Sequence, residues 1–254
     1  MLSERWLEKA EEIIEHIKKS QTENVKRAAE AIAKSIMGGH FCYAFGTGHS
    51  HMIIMELFPR YGGITGMCPM FSTPLNQFTR IIGDLGAGES GFLENTEKYG
   101  RIIVDDFYTI DENDCMIVCS HSGITPVAVE VALRAKEKGA TVISISSIVH
   151  GKKMPARHSS GKKLYEVADI AIDTGVPLGD VMIDVPGLEE KIGPGSSLAN
   201  IVIANMISCE VVEIMMKNNY KPKIVPYPGL TPNAEEKEKE LIKEFRLRVA
   251  KHLP

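Results

Sequence analysis

The sequence predicts an α/β protein built on a parallel sheet, and three stretches predict it. Met116-Ile-Val-Cys119 is a short unbroken apolar run, the mark of a strand covered on both faces. It stops at Ser120-His-Ser-Gly-Ile-Thr125, and Pro126 then suits the first turn of a helix whose apolar face includes Val127, Val131 and Leu133. Phe41-Cys-Tyr-Ala-Phe45, Gly46-Thr-Gly-His-Ser50 and the apolar segment from Met52 to Phe58 repeat that order of strand, polar turn and helix.

The flanking elements follow in chain order. Trp6, Leu7, Ala10, Ile13, Ile14 and Ile17 fall at helical spacing, and after Ser20-Gln-Thr22 a second helix carries Val25, Ala28, Ala29, Ile32, Ala33 and Ile36. Gly38-Gly39 ends it. Ile64 to Met67 reads as a short strand, and 68–91 as a long irregular connection, a pocket wall or lid. Asn95 to Tyr108 reads as a helix, Thr141 to Ser146 as a strand, and 149–163 as a polar loop. Leu164 to Ala168 is a helical turn and Asp169 to Asp173 a strand. After the Gly- and Pro-rich stretch 175–195, Ser196 and Ser197 open a helix from Leu198 to Met216 whose composition predicts burial on most sides. Its polar exceptions are Asn200, Asn205 and Glu210. A charged helix closes the chain over 233–252.

At 254 residues the chain can hold one large α/β domain or two small ones. Its 29 basic and 33 acidic side chains leave no basic footprint for nucleic acid. No apolar run spans a bilayer without a break, and the N-terminus is an amphipathic charged segment, unlike a signal peptide. Cys42, Cys68, Cys115, Cys119 and Cys209 are odd in number and form no CxxC pair, which predicts reduced, buried thiols and a cytoplasmic protein.

Strand, hydroxyl-rich turn and helix N-terminus together make an anion pocket, since backbone N–H groups and the helix dipole favour negative charge. Ser120, Ser122 and Thr125 add donors without adding charge, which suits a phosphate monoester; the plainer alternative is an ordinary turn with hydroxyl caps. The first turn lacks the third glycine of the dinucleotide fingerprint and any GK[ST], so no nucleotide cofactor is expected. His49 and His51 have no ligand cluster nearby, so no metal is expected either. Glu56, among apolar neighbours, is either a desolvated general base or the i,i+4 ion-pair partner of Arg60.

Phe45-Gly-Thr-Gly-His-Ser50 and Cys119-Ser-His-Ser-Gly-Ile-Thr125, with the strand–helix–strand to Ser146, resemble the SIS (sugar isomerase) domain over about residues 25 to 217. Gly-Thr-Gly-His-Ser-His, Glu56-Leu-Phe-Pro-Arg-Tyr-Gly-Gly63 and Arg157-His-Ser-Ser-Gly-Lys-Lys-Leu-Tyr-Glu-Val-Ala-Asp169 are similar to stand-alone bacterial SIS proteins related to phosphoheptose isomerases. The resemblance implies a three-layer α-β-α, flavodoxin-like fold with a five-stranded parallel sheet. One SIS domain would then fill 1–254, with an N-terminal helical hairpin over 1–38, the core over 41–217 and the C-terminal helix beyond. It implies a homodimer or homotetramer that binds a small sugar phosphate.

By position, the resemblance implies that Ser120, Ser122, Thr125 and the backbone of Gly123 hold the phosphate. Thr47, Gly48 and Ser50 would line the sugar side, with Ser196 and Ser197 at the border. Glu56 corresponds to the relatives' glutamate, at a shorter spacing from the loop serine. Asn205 stands near the position of their proton-donating histidine, so His49 or His158, the latter reaching in from another subunit, would take that role. Three functions fit: an aldose–ketose isomerase working through an enediol, a non-catalytic sugar-phosphate sensor, and an amino-sugar phosphate lyase or etherase.

Overall fold

The computed structural model describes residues 1–58, 60–76, 86–106 and 108–250. Five strands make one parallel sheet: β1 (Cys42–Gly46), β2 (Met67–Pro69), β3 (Cys115–Cys119), β4 (Thr141–Ser146) and β5 (Ile170–Asp173). Their order is β2-β1-β3-β4-β5, so β3 is central and β1 and β4 flank it. Every residue of β1 and β3 is buried, which is why both read as unbroken apolar runs.

Alternate strand residues serve opposite layers, as the pleat requires. Cys42, Ala44, Ile117, Cys119, Ile143 and Ile145 pack with α1 (Leu2–Ser20), α2 (Thr22–Met37), α3 (Met52–Leu57) and the later α10 (Ser196–Lys217). Tyr43, Phe45, Met116, Val118 and Val142 pack on the other side with α6 (Glu97–Asp106), α7 (Pro126–Glu137) and α9 (Leu164–Val167). The last helix, α11 (Ala234–Ala250), brings Phe245 edge-on to Phe41 and Phe58. The three-layer α-β-α architecture is therefore the one expected, with the N-terminal hairpin inside one layer.

Several local readings change. The short strand begins at Met67, and Ile64 instead bridges Ile224. The supposed irregular connection 68–91 holds α4 (Thr73–Asn76) and α5 (Gly86–Glu94), while its part over 77–85 lies outside the described residues. The polar loop after β4 starts with α8 (Ile148–Lys153), capped by Ser147, whose hydroxyl accepts the His150 N–H. The 175–195 stretch carries an antiparallel pair, β6 (Val181–Ile183) and β7 (Ile192–Pro194). Cys209 is exposed, whereas the other four cysteines are buried as expected.

Helix α10 departs furthest from expectation. Eight of its 22 residues are buried, and these pack mainly against α2 and α3. It is apolar all round because a second face, including Ile201, Val202 and Met206, is only half covered.

Candidate functional site

The register of the sheet places the two hydroxyl-bearing turns side by side. Gly46, the last residue of β1, pairs with Cys119, the last of β3, so Thr47 and Ser120 leave neighbouring strands at the same carboxyl edge. Open parallel sheets bind ligands at this edge.

After β3, Ser120 bends the chain by accepting the Gly123 N–H at its carbonyl, and Gly123 takes φ +65°. A side chain at 123 would pay for that left-handed backbone and touch Ser146 at 3.4 Å. Thr125 then occupies the N-cap of α7 without a side-chain cap bond. Its hydroxyl turns inward instead, 3.3 Å from Ser120 Oγ and 3.4 Å from Ser122 Oγ. Three hydroxyls thus converge beside a helix N-terminus, and beyond each other their bonding reaches the Ile124 N–H, which donates to Ser122 Oγ at 3.4 Å. Such hydroxyls can turn to an anion at little cost.

The turn after β1 is built otherwise. Gly46 folds the chain so tightly that a Cβ there would lie 2.7 Å from the Ser50 carbonyl oxygen. Buried Thr47 donates its hydroxyl to Glu94 Oε1 at 2.5 Å, tying α5 to the turn. Gly48, at φ +52°, opens a 3₁₀ turn through His51, with His49 exposed on it. Ser50 does not cap α3; it bonds the Cys119 thiol, which burial pushes up to about 12. The turn is pinned from below by Asn76, whose amide donates to the Gly46 carbonyl at 2.9 Å.

The other predicted residues scatter. Glu56 accepts from Arg60 at 2.8 Å and from the Asn205 amide at 3.1 Å, so the ion-pair alternative is the one seen, and the two positions at issue meet each other. His158 is not in the pocket of its own chain. It is buried, donating from Nε2 to Glu130 at 2.9 Å while Nδ1 accepts the Ser160 N–H, and Arg101 completes the network on Glu130. A side chain with both ring nitrogens engaged is a structural clamp between α6, α7 and the 154–163 loop. Ser196 gives its hydroxyl to Asp180, whose carboxylate also accepts the Gly195 and Ser196 N–H groups and so caps α10; Ser197 is half-buried beside it.

Two groups escaped the sequence reading. Glu94 lies in a stretch without helical periodicity, and no pattern linked it to Thr47. His121, between the two serines, has neither ring nitrogen hydrogen-bonded among the described residues, and its ring meets that of His150 edge-on at 5.1 Å. Burial holds both imidazoles below the ordinary histidine range, against the pull of Asp180. For metals, His40, Asp111 and Asp114 bring ligand atoms within 4.8 Å of one another. They sit at the opposite end of the sheet, where both Asp114 oxygens already accept backbone N–H groups.

Comparison with known proteins supplies the family. Relatives include a UPF0309 protein of Thermoanaerobacter pseudethanolicus, 36% identical over 252 residues and 98% of both chains. Another, from Geobacillus, is 33% identical over 246 residues, 97% of this chain and 96% of its own. Among solved structures, a phosphoheptose isomerase of Francisella tularensis superposes with a TM-score of 0.51 at 12% identity, over 82% of this chain and 95% of that one, a likeness of fold. The SIS domain profile matches residues 5–147, and the chain belongs to the SIS domain family.

Proposed function

We propose that the protein binds a sugar phosphate at the carboxyl edge of β1 and β3 and isomerises it between aldose and ketose through an enediol. The observation that carries this reading is the hydroxyl cluster of Ser120, Ser122 and Thr125, bonded chiefly within itself beside the N-terminus of α7. An anion there gains hydroxyl and backbone donors without displacing a protein acceptor. The turn from Thr47 to Ser50 lies alongside and shapes the sugar side. Phosphoheptose isomerase chemistry in a protein of the same fold is compatible with this reading, although fold alone does not fix function.

Calorimetry with a panel of pentose, hexose and heptose phosphates tests the binding step, and deuterium uptake from heavy water beside the carbonyl tests the reaction. Binding that Ser122→Ala weakens by about tenfold or more, with exchange, is the expected result; no binding across the panel refutes it. One observation favours a sensor instead. Asn205 holds Glu56, and an amide cannot carry a proton at neutral pH. Binding without exchange would select that reading.

The reading includes a second copy of the chain. Helix α10 has a mean hydropathy of 1.6 over its most apolar window, yet only 39% of that window is buried. The uncovered part forms an apolar cleft with α2, lined by Val25, Ile201, Val202, Met206 and Cys209, next to Asn205. A copy seated there would cover the face and draw the Glu56–Asn205 pair into the assembly. Sedimentation of Met206→Glu checks it: the wild type should run as a dimer or larger, and the variant as a monomer.

A further inference from the structure

Isomerisation needs a base at the carbon beside the carbonyl and a group that moves protons between the two oxygens. Glu56 and His158 are each engaged elsewhere in this chain, by Arg60 and Asn205 and by Glu130. The topology offers another pair. The hydroxyl cluster stands at the head of β3, and β3 lies between β1 and β4. On the β1 side, Glu94 reaches over from α5 and touches Thr47, the residue next to the strand end. On the β4 side, His121 leans toward His150 of α8 and Asp180, with both of its ring nitrogens unpartnered among the described residues.

We infer that Glu94 and His121, on opposite flanks of the Ser120–Ser122–Thr125 cluster, are the two proton-handling groups of this site. The inference rests on the sugar-phosphate reading and names the residues that perform its chemistry. Two ring nitrogens buried without partners among the described residues are costly, and a native structure retains them where a ligand supplies the missing bonds. Residue 121 stands between Ser120 and Ser122 in the chain, so its ring leaves the same turn as the two serines. Thr47 holds the Glu94 carboxylate at the rim until a substrate arrives.

The proton balance closes without any other reactant. The Glu94 carboxylate takes the proton from C2 of the aldose, and the C–H electron pair becomes the C1–C2 double bond. The carbonyl oxygen on C1 receives the N–H proton of the neutral His121 ring, which becomes an imidazolate. The imidazolate then takes the proton of the C2 hydroxyl, the C2 carbonyl forms, and the Glu94 carboxyl, its proton having exchanged with solvent at the enediol stage, delivers a proton to C1. Both side chains finish as they began.

The experiment follows deuterium exchange and binding together, with the pentose, hexose and heptose phosphate panel, for the wild type, Glu94→Gln, Glu94→Asp, His121→Gln and Glu56→Gln. Glu94→Gln should lose exchange by about a hundredfold or more while binding the same sugar phosphate within about threefold, the scale of general acid–base catalysis. His121→Gln should slow exchange by at least about tenfold and change its pH profile. Exchange lost in Glu56→Gln but kept in Glu94→Gln would overturn the inference. Should Glu94→Gln fail to fold, Glu94→Asp keeps the charge but withdraws it, and should slow exchange without ending it. Wild-type exchange rates in either Glu94 variant or in His121→Gln would overturn the inference while leaving the site. Binding without exchange by the wild type would overturn it in favour of a sensor, and absence of binding would bring down the sugar-phosphate reading itself.

Discussion

The turns after β1 and β3 look like copies in the sequence, each a buried strand running into glycine and hydroxyls before a helix. In the folded chain they differ in what their hydroxyls do. Thr47 and Ser50 are occupied, by Glu94 and by the Cys119 thiol. Ser120, Ser122 and Thr125 face one another. Hydroxyl count therefore does not measure capacity for a ligand; what matters is whether binding must break a bond to a charged or buried partner. By that measure the proposed phosphate site belongs to the β3 turn, with the β1 turn as its wall.

The largest effect should come from removing donors on each side in turn. The Ser120→Ala, Ser122→Ala double variant loses two hydrogen bonds to a charged ligand, each worth about 1.5–3 kcal/mol. Affinity for a bound sugar phosphate should fall by about a hundredfold or more in calorimetry. The Thr47→Val, Ser50→Ala pair should change affinity by less than about tenfold, with its cost appearing as lowered stability. Equal losses on the two sides would erase the distinction.

Backbone substitutions give a smaller effect with the opposite order. Gly46→Ala places a methyl 2.7 Å from a main-chain oxygen of the wall turn, so the backbone must move. Gly123→Ala meets only ordinary contact at 3.4 Å, and its cost is the left-handed conformation, about 1–2 kcal/mol. Urea denaturation should rank Gly46→Ala as the more destabilised. Gly123→Ala should weaken ligand binding more than Gly46→Ala does, because it reorients the phosphate-facing N–H groups.

That contrast also marks how far the sequence could be read. The strands and both turns were legible because double burial leaves an unbroken apolar run that glycine and hydroxyls end sharply. The wiring was not. Thr47 meets a glutamate 47 positions away, and His158 meets Glu130 across 28. Contacts of that separation depend on which helix lies over which strand, which no local pattern encodes. Helix α10 misled for a related reason. A helix apolar all round can be wholly buried, or half buried with a face for a second chain, and composition is the same in both cases. His121 was hidden because imidazole is unremarkable between serines until the fold removes its partners.

The smallest predicted effect concerns that imidazole and is a matter of pH. Burial keeps His121 and His150 below the ordinary histidine value of about 6.5, with Asp180 opposing the shift in each. As pH falls through that value, the unfolded chain takes up protons that the folded chain still refuses. Stability contributed by the neutral rings is thus fully present above about pH 6.5 and is lost as pH falls through the folded-state values. The urea midpoint of the wild type should therefore drop between pH 7.5 and 5.5, and His121→Gln should shrink that drop, since the amide does not titrate. A sugar phosphate that engages His121 should flatten the same slope, because a ring given partners in the complex no longer resists its proton as the empty site does. An unchanged slope in the variant would mean that residue 121 is as settled as the hydroxyls of the neighbouring turn, and the asymmetry between the two turns would then rest on Ser120, Ser122 and Thr125 alone.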